Sequence, residues 1–137
     1  MAKKRVTRPA PASDARNAIQ KAVEFQAAAS AALDAEQWNA AGLGAIHAGI
    51  AAADAASIAA AGVRNASKDH SGAVEVLDDE VVEFGTSQRR QLAGLLKMKY
   101  AVAYDQRLLG RVEARKLVDH GERFVAWARQ VVERHVQ

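Results

Sequence analysis

Hydrophobic positions recur at three- and four-residue spacing through most of the chain, the signature of amphipathic helices. After Pro9 and Pro11, residues Ile19, Val23, Ala27, Ser30 and Ala31 fall on one face, and Ser13 or Asp14 stands where a helix cap is expected. The pattern fades near Glu36. Trp38 opens a second helix predicted to reach Ala61, with Gly62 placed to end it. Residues 63–70 are polar and predict a connection. Val74, Leu77 and Val81 then give a short amphipathic helix over 71–82. After a break at 83–87, Ser87 caps a fourth helix carrying Leu92, Leu95, Leu96, Val102 and Leu108. Gly110 marks another break, and Ala114, Leu117, Val118, Val125, Ala128 and Val132 line a final helix. No stretch carries a strand signal. The expected fold is all-α: a bundle of four main helices and one additional short helix. At least two-thirds of the chain should be helical, sequence neighbours antiparallel because the connections are short, and no sheet formed.

The second helix requires a check against membrane insertion, because residues 40–63 contain no Lys or Arg. Alanine is nearly neutral in lipid, and Asp54 near the middle would cost roughly 2.5–3.5 kcal/mol. No block of leucine or phenylalanine offsets that cost. The run therefore predicts a buried central helix, and Gly42, Ala45, Gly49, Ala52 and Ala56 form a small-residue strip suited to close packing.

Composition adds further limits. The 137 residues are half hydrophobic but only 5% aromatic, which fits one domain with an alanine-rich core. The absence of cysteine excludes disulfides, thiolate metal sites and cysteine nucleophiles, and it fits a cytoplasmic protein. The basic start lacks a following apolar segment, so no secretory signal is expected. Residues 1–11 carry four Lys or Arg, no acid and two prolines, and are expected to form a mobile tail ahead of a domain over 12–137. Residues 12–86 carry four bases against eleven acids, and 87–137 eleven bases against five acids. The C-terminal half is thus the side suited to an anion, unless its bases are solvated faces paired with the acidic half.

Several polar groups could carry chemistry. His47 and Asp54 lie two turns apart on the second helix, and a buried polar network joining them is one reading. A buried carboxylate needs a partner, for which Tyr100, Tyr104 and Lys97 are the candidates. His47 reads as a core or interface histidine. His120 and His135 form no H-x-x-x-H or H-E-x-x-H pattern, so no metal site is expected. Lys97, Lys99, Tyr100 and Tyr104 cluster at helical spacing, and with Arg107 they make a candidate nucleic-acid or nucleotide surface. The tyrosines also fit half-buried packing roles. Trp38 and Trp127 read as core or interface anchors.

The small-residue helix, the loop with Asp69-His70-Ser71, the short helix, Lys99-Tyr100, and a last helix containing Phe124-Val125-Ala126-Trp127-Ala128 together resemble the HEPN superfamily. The likeness covers roughly residues 14–135 and is greatest to small stand-alone actinobacterial members, through Ala45-Ile46-His47-Ala48-Gly49-Ile50-Ala51-Ala52-Ala53-Asp54-Ala55. A strand pair within that span would argue against it. The resemblance implies an up-and-down four-helix bundle, often a homodimer. Many such proteins are metal-independent ribonucleases with an Arg-x4–6-His motif. Imidazole moves a proton to or from the 2′-hydroxyl, and guanidinium holds the phosphate. Arg64 and His70 satisfy that spacing as Arg-x5-His. The family's toxins place the motif near the last two helices, where this chain has Lys97-Met-Lys-Tyr-Ala-Val102-Ala-Tyr104. Lysine replaces arginine there and valine replaces histidine, and valine cannot transfer a proton.

Three functions follow as expectations. The first is a non-catalytic module binding a nucleotide, RNA or a protein partner such as an antitoxin. The second is a ribonuclease using Arg64 and His70 across a dimer, and the third a structural adaptor. A symmetric homodimer burying at least about 1,000 Å² in total is expected, with the second or fourth helix contributing. Its basis, besides the resemblance, is that Trp38, Trp127 and Phe124 exceed what one small core encloses. No cofactor is expected.

Overall fold

The computed structural model describes residues 6–70 and 72–136. Six helices span most of the chain: α1 (Ala12–Asp34), α2 (Trp38–Ala61), α3 (Gly72–Glu80), α4 (Thr86–Lys97), α5 (Lys99–Ala103) and α6 (Arg111–His135). Four of them, α1, α2, α4 and α6, form the bundle. Gly44 of α2 meets Ala29 of α1, Gly49 of α2 meets Leu95 of α4, and Gly94 of α4 meets His120 of α6. These contacts, with the packing of Ala52, Leu92 and Phe124 in one cluster, make successive main helices antiparallel. More than two-thirds of the chain is helical, as expected.

The bundle is flattened. Gly42 faces Leu117 and Gly121 faces Ala45, so the parallel pair α2 and α6 touches across the diagonal. Only small residues permit that approach: a Cβ on Gly121 would stand 3.3 Å from Ala45 Cβ and 3.4 Å from Ala45 O. Two apolar clusters result. One joins Ala48, Ala52 and Ala56 to Leu77, Leu92 and Phe124, and the other joins Ala41, Ala45 and Ile46 to Leu95 and Leu117. By length and mean hydropathy (1.4) α2 could cross a membrane, yet 56% of that window is buried inside the bundle. It serves as the core helix of the fold.

The α1–α2 turn has no glycine. Glu36 takes the left-handed conformation with φ 60°, at a cost of roughly 1–2 kcal/mol. Arg111 pairs with Glu36 and covers the Trp38 ring at 5.1 Å, tying the start of α6 to this turn. Gly62 ends α2 with φ 68°, the role expected of it.

Several expectations are corrected. Helix α1 starts at Ala12, with Pro11 in the cap position and Asp14 inside the first turn. The fourth helix does not run to Leu108. It stops at Lys97, and Met98 N–H bonds back three residues to Leu95 O (3.2 Å), a tightened turn after which only α5 remains helical. Gly85, not Ser87, is the cap of α4, and its N–H donates to Gln88 Oε1 (3.0 Å). The start expected for the short helix at Ser71 lies outside the described residues, as does the tail over 1–5. Phe124 is fully buried, so the core does enclose it, whereas Trp38 and Trp127 are half-buried at the edges of the two clusters.

The tail is also corrected. Thr7–Pro9 forms a strand, β1, antiparallel to β2 (Val63–Asn65), with Arg8 opposite Arg64. A sheet therefore exists, although no pair among the described residues lies wholly within 14–135. Ala10 N–H donates to Gly62 O and Ala66 N–H to Val6 O, both at 2.9 Å. By the alternation of the ladder, Pro9 falls at a position needing no N–H, which is where an edge strand tolerates proline.

Candidate functional site

Residues 65–70 are folded by their own polar side chains. Asn65 Oδ1 accepts from Ser67 N–H (3.2 Å), and the Ser67 hydroxyl lies 2.9 Å from the same oxygen and 2.7 Å from Asp69 O. This Asx-type turn hands the chain to α3, where Ala73 N–H donates to His70 O (3.0 Å). Helix α3 then packs on α2 through Ala73 and Leu77, which fixes the end of the loop that carries His70.

His70 lies on the wall between two clefts. The first, about 230 Å³, brings together Arg8, Arg64, Asn65, Ser67, His70 and Asp54. The second, about 370 Å³, is formed by Lys68, Asp69 and His70 on one side and Lys97, Lys99, Tyr100 and Tyr104 on the other. Thus Arg64 and His70 do share a cleft, as the Arg-x5-His reading requires. Lys97, Lys99, Tyr100 and Tyr104 do share a surface, although α5 and its cap carry most of it.

The tyrosine cleft is open and carries three lysines. Tyr100 and Tyr104 sit at the two ends of α5, 73% and 66% exposed, with ring centroids 5.7 Å apart. Lys97 is exposed and Lys99 half-buried. Burial lowers the His70 pKa below its usual value, and the nearby Lys99 and His47 lower it further against the pull of Asp69. The imidazole is therefore neutral near pH 7 and able to accept a proton.

Asp54 has a different setting from the one expected. It is half-buried and faces the arginines, not Tyr100, Tyr104 or Lys97. Its carboxylate accepts no hydrogen bond among the described residues. Burial pushes its pKa up to about 6, against the opposing attraction of Arg64. Such a carboxyl is poised to exchange a proton near neutrality. His47 is corrected as well: it is exposed, with its ring 5.8 Å from that of Phe25, and belongs to no buried network.

Arg107 lies outside both clefts. Its guanidinium pairs with Glu113 on the surface through two hydrogen bonds of 2.9 and 2.6 Å. A third groove of about 600 Å³ between α4 and α6 continues from the tyrosine cleft through Lys97, with Arg90, Lys116 and His120 on its walls. Burial and the nearby Lys116 and Arg123 lower the His120 pKa. Arg8, Lys68, Arg90 and Lys116 escaped the sequence reading, because nothing in their spacing marks them and only tertiary packing gathers them. Among the described residues no group of three or more His, Cys, Asp or Glu is placed to hold a metal ion.

No family model matches the chain, and no curated protein matches it. Among solved structures, the crystal structure of TT1696 from Thermus thermophilus is similar, with a TM-score of 0.70 at 22% identity over 85% of this chain and 97% of that one. The likeness is one of fold.

Proposed function

We propose that this protein is a cytoplasmic, HEPN-like module that binds single-stranded RNA or a nucleotide without cleaving it. One observation carries the reading: two exposed tyrosines stand side by side at the mouth of a cleft lined by Lys68, Lys97 and Lys99. Aromatic faces with flanking cations are the elements of sequence-tolerant single-strand recognition, where each stacked base is worth roughly 1–3 kcal/mol. The exposure of both rings favours it further, since packing alone gives them no reason to face water. The up-and-down bundle accords with the family resemblance.

The test is fluorescence anisotropy with a short labelled single-stranded RNA. Binding should weaken with salt, with a log–log slope near −2 if about three phosphates are neutralised. Tyr100→Ala with Tyr104→Ala should weaken it roughly fivefold to a hundredfold or more while leaving the melting temperature unchanged. Binding unaffected by the double variant would refute the assignment of the surface.

A second reading, metal-independent RNA cleavage, is favoured by the shared cleft of Arg64, His70 and Asp54. Neutral His70 would take the proton of a 2′-hydroxyl as its oxygen attacks phosphorus. The P–O5′ bond would break with a proton delivered to O5′, for which protonated Asp54 is the nearby donor, and Arg64 would hold the phosphate oxygens. Incubation of mixed RNA with EDTA present, beside His70→Ala, decides it. Products ending in 2′,3′-cyclic phosphate, lost in the variant, would establish this reading over the first.

A further inference from the structure

Arg8 and Arg64 stand directly opposite each other in the β1–β2 ladder. The bonds from Ala10 N–H to Gly62 O and from Ala66 N–H to Val6 O lie two positions away on either side. Alternation therefore makes Arg8–Arg64 a hydrogen-bonded pair, with Cα atoms roughly 5.5 Å apart and both side chains on the same face. Like charges so placed repel, and a two-stranded ribbon of three residues each has little cohesion with which to oppose them. Neither guanidinium has an ion pair or hydrogen bond with another described residue. Both line the 230 Å³ cleft, where Asp54 supplies a single carboxyl for two cations. An unpartnered cationic pair at the mouth of a small polar cleft is an arrangement completed by an anion.

The size and the donors narrow the choice. The cleft lies below the roughly 300–1,000 Å³ of sites for whole organic ligands. Two guanidinium forks offer two bidentate contacts. A phosphodiester has two non-bridging oxygens and one charge, whereas a phosphomonoester has three and close to two charges. The latter matches the forks and the excess positive charge better.

We propose that Arg8 and Arg64 clamp a terminal phosphate, a phosphomonoester dianion, with the nucleic-acid chain leaving past His70 toward Tyr100 and Tyr104. The site is assembled only when β1 is paired, so the segment ahead of α1 is part of the binding machinery. The proposal deepens the RNA-binding reading and rests on it for what bears the phosphate. The clamp itself is a statement about the two arginines alone.

The experiment compares one short RNA in three forms, with a 5′-phosphate, a 3′-phosphate or hydroxyl ends, and inorganic phosphate by calorimetry. One phosphorylated end should bind about tenfold or more tightly over the hydroxyl form, the advantage vanishing in Arg8→Gln and in Arg64→Gln. Arg8→Gln keeps the backbone pairing, and an unchanged melting temperature shows that the ribbon stays in place. Removing the neighbouring negative charge by Asp54→Asn should strengthen phosphate binding. Equal affinity for all three RNAs, unaltered by Arg8→Gln, overturns the clamp and leaves RNA binding standing. Inorganic phosphate bound by the wild type and lost in Arg8→Gln, with no RNA bound, supports the clamp and overturns the RNA reading. Failure to bind either overturns both.

Discussion

Replacing Asp54 by asparagine should make this protein more stable at neutral pH, although it alters a half-buried polar group at the heart of the candidate site. Burial holds the Asp54 carboxyl at about 6 instead of 3.8, and its carboxylate accepts no hydrogen bond among the described residues. The folded chain therefore keeps a proton that the unfolded chain releases. Stability is greatest below about pH 3.8, falls as the pH rises toward 6, and carries a constant penalty above that. Fully expressed, the penalty corresponds to about 3 kcal/mol. Residual solvent contact screens it, so about 1–2 kcal/mol is expected. Asparagine has nearly the same shape and no charge to desolvate, whereas alanine would add a void.

The assay is urea denaturation followed by circular dichroism at pH 7.5 and at pH 4, in buffers free of phosphate and sulfate so that no anion occupies the arginine cleft. With a urea dependence of roughly 1–3 kcal/mol per molar, the midpoint of Asp54→Asn at pH 7.5 should lie about 0.5–1 M above the wild type. The two midpoints should converge at pH 4. An asparagine variant that is equally or less stable at pH 7.5, or a difference that does not change with pH, would show that Asp54 has a favourable partner and refute the reasoning. The result bears on function as well, because a penalty tolerated in the fold is one that bound ligand or catalysis can exploit.

Three further outcomes are expected. Gly44→Val should destabilise by about 1–3 kcal/mol in thermal melts, because even a Cβ there would lie 3.3 Å from Ala29 Cα and branched methyls would press on the α1 backbone; an unchanged Tm would mean that the α1–α2 contact is looser than it stands. Deleting residues 1–11 should lower RNA affinity, flatten its salt dependence and lower Tm, since β1 is lost; an unaltered protein in all three respects would reduce the segment to a solubilising extension. Sedimentation at micromolar concentration should show a homodimer, with the exposed apolar Leu108 and Val112 (76% and 80% exposed) covered in the contact and the tyrosine cleft left open; a clean monomer would remove the composite-site version of RNA cleavage.

The helices were legible because their signal is local and periodic. Trp38–Ala61 could be bounded from its alanine and glycine run and from Gly62, since a glycine with φ 68° is a stop that needs no tertiary information. The α4–α5 region was not, because Leu92 to Leu108 keeps a helical rhythm across a turn that tertiary packing imposes. Leu109 is pinned by its N–H to Asn39 Oδ1 (2.9 Å), a contact seventy residues away in sequence that no window of periodicity can see. The ribbon was missed for a related reason. Two three-residue strands carry too few positions to show alternation, and one of them sat in a segment whose prolines and charges argued for disorder.

The same distinction explains what could be read of the site. Tyr100, Tyr104, Lys97 and Lys99 lie within eight residues, so short-range spacing was enough to gather them. Arg64 and His70 are joined by one loop whose turn is encoded by Asn65 and Ser67. Asp54 and Arg8 complete that cleft from a helix and a strand distant in sequence, and only burial decides what they do there. Asp54 was expected to need a partner, on the sound ground that a buried carboxylate without one is costly. The fold instead leaves the cost in place: the carboxyl keeps a pKa of about 6, and it faces two arginines that make no ion pair or hydrogen bond among the described residues. A protein under selection for stability alone would fill such a cleft with apolar side chains. One that keeps a strained carboxyl and two opposed cations in a cleft shared with His70 has reason to admit an anion there.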